Sequence, residues 1–183
     1  MSDGCVLAVS GTPGVGKTHL STLMADHGWD VVSLASLAEE HGCLDEVDPS
    51  DGAAPIDIHR LADAWVPPAD TRMVVDGHLA HLLDVDGVVL LRCAPETLAE
   101  RLKSRGYDEI KVRANVEWEL TAGHWAELLE FEVEHPLIEL DATTMPPSSL
   151  LEAVQNWVDA GMAGFTIPEQ APSALDWLSE PTS

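Results

Sequence analysis

Residues Gly11–Thr18 read GTPGVGKT and fill every defined position of the pattern G-x-x-x-x-G-K-[ST]. Each defined residue has a mechanical job. Glycines such as Gly14 and Gly16 let the backbone bend so that successive N–H groups converge on phosphate oxygens. Lys17 is placed to reach β- and γ-phosphates as a compact positive charge, and the Thr18 hydroxyl to hold Mg²⁺. The helix that follows adds its N-terminal dipole, which favours an anion. The flanks support this reading. CVLAVSG (Cys5–Gly11) is an apolar run of strand length, and Leu20, Leu23, Met24 and His27 then recur at helical spacing before Gly28. Strand, loop, helix is the context the motif requires.

Outward from the loop, apolar runs predict further strands near 30–34, 72–76, 86–92 and 136–141, in addition to 5–10. Helical stripes fall between them: Ala35–His41, then Ile58, Leu61, Ala62 and Trp65, then Leu98 and Leu102 behind Pro95. Asp108–Glu134 offers Ile110, Ala114, Trp118, Thr121, Trp125 and Leu128 as a stripe, with its tryptophans in the core and Gly123 as a weak point. Leu150–Val158 closes the domain. The acidic, turn-rich stretch Gly42–Pro55 reads as a mobile loop. From Gly161 the pattern decays into an acidic, proline-containing tail (161–183), expected to be loose, in which Leu175, Trp177 and Leu178 are the residues able to dock. The alternation of strands and helices argues for an α/β, doubly wound, mostly parallel sheet with helices on both faces. Ligand is expected at the strands' carboxyl ends.

With 183 residues the chain suits one domain with a real core. No stretch approaches the roughly 18 consecutive apolar residues of a membrane span. No basic segment with a long apolar run precedes the loop, so no secretion signal is expected. Cys5, Cys43 and Cys93 form no C-x-x-C pair; Cys5 and Cys93 read as small buried hydrophobes. A reducing cytoplasm fits. The net charge of −23, from 32 acidic against nine basic residues, is extreme. Self-repulsion on this scale opposes compaction at ordinary ionic strength and is screened at high salt. The acidic residues are spread along the chain, which favours adaptation to a salty cytoplasm over a single patch for a basic partner, although the two are compatible.

Scarce cations are informative by their placement. Six of the nine lie between Arg92 and Arg113: Arg92, Arg101, Lys103, Arg105, Lys111 and Arg113. This cluster reads as a second phosphate-contacting element. The competing reading is helix-surface pairing, for which Glu109 and Arg113 have the i,i+4 spacing. Asp76 ends the third predicted strand, where a carboxylate can hold Mg²⁺ through water. If the strand stays extended, His78 points to the same side.

At these residues the chain resembles a known family. GTPGVGKT, VVDGH and ERLKSRGYDEIKVRANVEWE (Glu100–Glu119) together are similar to the archaeal and nuclear adenylate kinases of the isoenzyme-six type, also called coilin-interacting nuclear ATPases; with the acidic surface, a halophilic archaeal source is expected. The resemblance spans about residues 4–159 and implies a P-loop NTPase of nucleoside monophosphate kinase type, occupying residues 1–160. It implies a five-stranded parallel sheet of order 2-3-1-4-5, a monophosphate-binding segment at about Ser36–Asp57 and a lid at about Ser104–Ala114. It further implies Mg·ATP and AMP as substrates giving two ADP, ATP hydrolysis, and a role in small ribosomal subunit maturation through a ribosomal protein. No membrane and no sequence-specific nucleic-acid partner is implied. Asp76 and His78 inherit Mg²⁺ and water- or substrate-orienting roles, Arg105 an ATP contact, and ELDAT (Glu139–Thr143) the adenine side.

On this reading the catalytic residues are Lys17, Asp76, His78 and Arg105. The nucleotide is bound by Gly14, Gly16, Lys17, Thr18, His19 and Arg105, and the metal by Thr18 and Asp76. His19 stands where the family has a small hydroxyl residue and would act through its backbone N–H. Glu39 stands where the family often has a basic residue, which moves the acceptor-phosphate contact to Arg60 or Arg72. The rival reading is a ribosome-assembly ATPase or chaperone, favoured by Glu39, Glu40, Asp45, Glu46, Asp48 and Asp51 in the monophosphate segment.

Overall fold

The computed structural model describes residues 4–49 and 54–179. Asp51 of the acidic loop and the terminal Glu180–Ser183 lie outside the described residues. Five strands form one parallel sheet: β1 (Cys5–Ser10), β2 (Asp30–Ser33), β3 (Arg72–Asp76), β4 (Gly87–Arg92) and β5 (Leu137–Asp141). Their order is β2-β3-β1-β4-β5, as expected. The register pairs Cys5 with Arg72 and Val9 with Asp76, so β1 and β3 end side by side at the carboxyl edge.

Why this sheet forms is visible in the alternation of its strands. Leu7, Val9, Val74, Val89 and Leu91 point into one core, and Val6, Ala8, Val75, Val88 and Leu90 into the other. β1 and β4 are buried along their whole lengths, which is why they read as continuous apolar runs without a polar face. The first core is covered by α1 (Lys17–Asp26), α4 (Pro95–Ser104), part of α5 (Glu109–Leu120) and α7 (Pro147–Asp159). The second is covered by α2 (Leu34–Glu40), α3 (Ile58–Ala64), α6 (Gly123–Glu130) and α8 (Ile167–Gln170). Side-chain caps start several of these helices: Ser33 accepts from Ser36 N at 3.0 Å, Asp57 from Arg60 N at 3.1 Å and Asp108 from Lys111 N at 2.8 Å.

Several expectations require correction. The acidic loop is closed at its base, where Leu44 and Ile56 pair in an antiparallel bridge and Asp45 N donates to Pro55 O at 2.8 Å. The stretch 108–134 is two helices, α5 and α6, broken at Ala122, whose φ of 53° is left-handed. Within α5 the expected stripe is displaced, since Ile110 is 84% and Trp118 40% exposed while Val112 and Glu119 are buried. The tail is docked over part of its length: Ile167 and Trp177 are both buried. Ile167 joins the second hydrophobic core, whereas Leu175 and Trp177 dock on charged groups of the body, which hydropathy patterning does not register.

Candidate functional site

The phosphate loop follows directly from β1. At Gly11 a side chain would put its Cβ 2.6 Å from Leu91 O, and at Gly14 (φ +92°) about 3 Å from Leu102, so β4 and α4 approach closer than a Cβ permits. Lys17, in the first turn of α1, folds back over the loop. Its Nζ donates to Gly11 O at 2.7 Å and to Thr12 O at 3.2 Å. Burial lowers its pKa to about 8; Arg105 adds to the lowering, while Asp76 and Glu119 oppose it. Asp76 and Arg105 therefore both lie near enough for their charges to act on Lys17.

Asp76 sits at the carboxyl end of β3. Burial raises its pKa, and Lys17 and the hydroxyls of Ser21 and Thr18 oppose the rise. Thr18 and Asp76 thus offer neighbouring hard oxygen donors. That donor set fits Mg²⁺, which takes few protein oxygens and keeps several waters. His78 leaves the strand by a different route from the one expected. The strand ends at Asp76, and the chain turns through Gly77 and His78 into a single 3₁₀ turn, Ala80–Leu82. His78 is exposed, and surrounding protein, then Lys17, lower its pKa.

That turn is held from behind by residues the sequence reading did not select. Ser10 Oγ donates to Gly77 O at 3.3 Å and lies 3.0 Å from His81 N and 3.1 Å from His81 Nδ1. His81 Nε2 meets Glu127 Oε1 at 2.6 Å. Trp118 Nε1–H donates to His124 Nδ1 at 2.9 Å, which leaves His124 Nε2–H to donate to the His78 carbonyl at 3.1 Å. This is the neutral tautomer, and burial holds the His124 pKa well below its ordinary value. In sequence the histidines lie on two segments, 78–81 and 124, far from Ser10; only the fold gathers them.

On the other side of the loop lies a cleft of about 380 Å³, lined by Gly14, Gly16, His19, Arg101, Arg105 and Ala142 among others. Four of the predicted binding residues are thereby brought together. Arg101 braces the cleft. Its guanidinium donates to Val15 O at 3.2 Å, and to Ala142 O at 3.0 Å and Thr143 O at 3.3 Å, tying the phosphate loop to the segment after β5.

The cation cluster does not act as one element. Arg92 is fully buried, with Nε on Glu119 at 2.7 Å and Nη1 on Glu139 at 2.7 Å, so it contacts no phosphate position. Glu139, expected on the adenine side, turns instead to Arg92 and to Trp125 Nε1, at 2.7 Å each; from that segment Ala142 lines the cleft. Arg72 opens β3 at the sheet's amino edge, with its guanidinium 4.3 Å from the Trp29 ring centroid, and so lies at the opposite end from Asp76. Arg60 is exposed on α3.

A family model described as an AAA domain matches residues 7–122. A protein described as "Putative adenylate kinase" from Archaeoglobus fulgidus is 36% identical over 175 residues, covering 96% of this chain and 93% of that protein. Proteins with the same description from Pyrococcus abyssi (40% identical, 86% of each chain) and Halobacterium salinarum (38% identical, 84% of this chain and 89% of the relative) are also similar. Among solved structures, a gluconokinase from Sinorhizobium meliloti superposes with a TM-score of 0.51 at 17% identity, covering 86% of this chain and 93% of that one. At that identity the likeness concerns the P-loop kinase fold.

Proposed function

We propose that this chain, which belongs to the AAA-domain family and to its branch of archaeal adenylate kinase relatives, transfers the γ-phosphoryl group of Mg·ATP to AMP, giving two ADP. The observation that carries the reading is the convergence of Lys17, Asp76 and Arg105 on one site beside the phosphate loop. The donor phosphates rest on the loop amides between Gly14 and His19. Lys17 leaves the carbonyls of Gly11 and Thr12 to follow the transferred group, and Arg105 closes on it from the end of α4. Thr18 and Asp76 would hold Mg²⁺, which would supply positive charge to the phosphates. His78 orients the acceptor or a water. Phosphoryl transfer needs mainly positioning and charge stabilisation, so no covalent nucleophile is invoked. Closure of the lid segment 104–114 excludes water and suppresses hydrolysis. With Arg72 at the far edge of the sheet, Arg60 is the remaining basic candidate near the acceptor segment. The isoenzyme-six affiliation and a salt-adapted cytoplasmic setting belong to the same reading.

A second reading is favoured by the acceptor segment's charge: Glu39, Glu40, Asp45 and Glu46 are all exposed. An ATPase that releases a basic ribosomal protein during small-subunit maturation would use that surface electrostatically. The deciding assay follows ATP consumption with and without AMP, in about 1 M salt to screen self-repulsion. Two ADP formed per AMP consumed is the outcome expected of the kinase. Phosphate release that ignores AMP and rises with a ribosomal protein supports the rival.

A further inference from the structure

We propose that the C-terminal segment Ile167–Trp177 is a working part of the donor site: Trp177, through the buried carboxylate of Glu119, positions Thr12 of the phosphate loop. The inference rests on the donor-site reading above and adds to it a residue, Trp177, that lies 159 positions beyond the end of the motif it serves.

Glu119 sits in the last turn of α5 with 1% exposure. One carboxylate oxygen accepts from Thr12 Oγ1 at 2.7 Å. The other accepts from Arg92 Nε at 2.7 Å, Cys93 N at 3.1 Å and Trp177 Nε1 at 3.2 Å. Its own carbonyl takes Arg92 Nη2 at 3.2 Å. Thr12 is itself fully buried and is the loop residue held from both sides, since its carbonyl also accepts from Lys17. A single carboxylate thus joins the end of β4, the arm that returns from the lid segment, the C-terminal segment and the loop.

The C-terminal segment completes the shell around this ion group. Leu175 O accepts from Arg92 Nη1 at 3.2 Å, and Leu175 N donates to Glu139 Oε2 at 3.0 Å. The Trp177 ring covers the guanidinium, with Cζ 5.9 Å from its centroid, a distance at which a cation is still attracted to the ring. Further back the segment is anchored by Ile167, 2% exposed, and by a capping box between Thr166 and Glu169. A buried network is rigid when every member is satisfied; opened to water, it loses the low dielectric that strengthens each bond. Removing the indole takes a donor from Glu119 and uncovers Arg92. Arg92 and Cys93 N still hold that oxygen, but with one donor fewer and the ion group uncovered the carboxylate is fixed less firmly, so ordering Thr12 and the loop amides becomes part of the cost of binding phosphate.

The test titrates Mg·ATP into the full chain by calorimetry and measures the ATP and AMP dependence of turnover. It compares wild type, Trp177→Phe, Trp177→Ala, Thr12→Val and the Trp177→Ala/Thr12→Val double variant, each with a melting curve. Trp177→Ala is expected to weaken Mg·ATP by about three- to tenfold in Kd and KM, with kcat and the KM for AMP moving less. The double variant is expected to bind no more weakly than Thr12→Val alone, because both changes break one path. Trp177→Phe keeps an aromatic ring beside Arg92 while removing the N–H together with part of the indole's volume, so a Kd weakened out of proportion to any change in Tm supports the proposal even where the alanine variant fails to fold. A lowered Tm with unchanged Kd for ATP in both Trp177 variants overturns it, as do additive effects in the double variant. Absence of Mg·ATP binding by the wild-type chain overturns the donor-site reading together with this proposal; normal wild-type binding with unaffected Trp177 variants overturns the proposal alone.

Discussion

Lys17 illustrates how much a single residue owes to its place. The motif identifies it, but its lowered pKa and its bonds to Gly11 and Thr12 follow from its burial against the loop. Lys17→Ala is expected to lower turnover by orders of magnitude in about 1 M salt, measured as ADP formation; near-normal ADP formation would sink the assignment. His124 makes the complementary case of a residue the motif does not announce. Its ordinary pKa is 6.5 and its folded value lies well below, through burial first and then the neighbouring His81, Lys17 and His78; its hydrogen bond to the His78 carbonyl acts in the opposite sense. Below pH 6.5 the unfolded chain therefore binds a proton that the folded chain refuses. Stability from this group is complete above that pH and falls by up to about 1.4 kcal/mol per pH unit as the pH drops further. Denaturant midpoints measured between neutral and mildly acid pH are expected to show a shallower decline for His124→Gln than for the wild type. Equal slopes would show that His124 titrates normally.

At the scale of elements, α5 shows why a stripe can be assigned to the wrong face. Hydropathy selects Ile110, Ala114 and Trp118, whereas the helix packs through Val112 and Glu119. A buried carboxylate reads as a solvent-facing residue until its partners, here Arg92 and Thr12, are known. The break after α5 was legible from Gly123, and the structure supplies its reason. A Cβ there would lie 2.2 Å from the Trp118 ring, so only glycine lets the start of α6 approach the indole. Gly123→Ala is expected to push Trp118 off His124 and to cost about 1–3 kcal/mol, as overpacking does. Near-UV circular dichroism and a denaturant melt check it, and an unchanged aromatic spectrum with wild-type stability would refute it. The C-terminal segment follows the same logic as α5. Two of its anchors, Leu175 and Trp177, dock largely on charged groups, and the third, Ile167, is a single apolar residue in the second core, so composition alone describes a loose tail.

For the whole molecule the dominant quantity is the net charge of −23. The Debye length shrinks from about 10 Å at 0.1 M salt to about 3 Å at 1 M, so repulsion between surface carboxylates fades over that range. The melting temperature is therefore expected to rise steeply with KCl up to about 1 M and less beyond it; a salt-independent Tm would remove the argument for a salt-adapted surface. The sequence by itself determined the sheet and the donor loop. Apolar runs of strand length, a strand–loop–helix motif and stop signals are local in the chain, and local spacing is what a sequence displays. It also marked Lys17, Asp76 and Arg105, and in the fold the charges of the last two act on the first. Only the tertiary structure decided which cations face that site. Arg92 and Arg72 belong to a buried ion group and to the sheet's far edge. Only the fold, too, gathered Ser10, His81 and His124 behind His78, and Glu119 between Thr12 and Trp177. Their partners lie tens of residues away, and a buried polar residue carries no signature until the group that satisfies it is brought alongside.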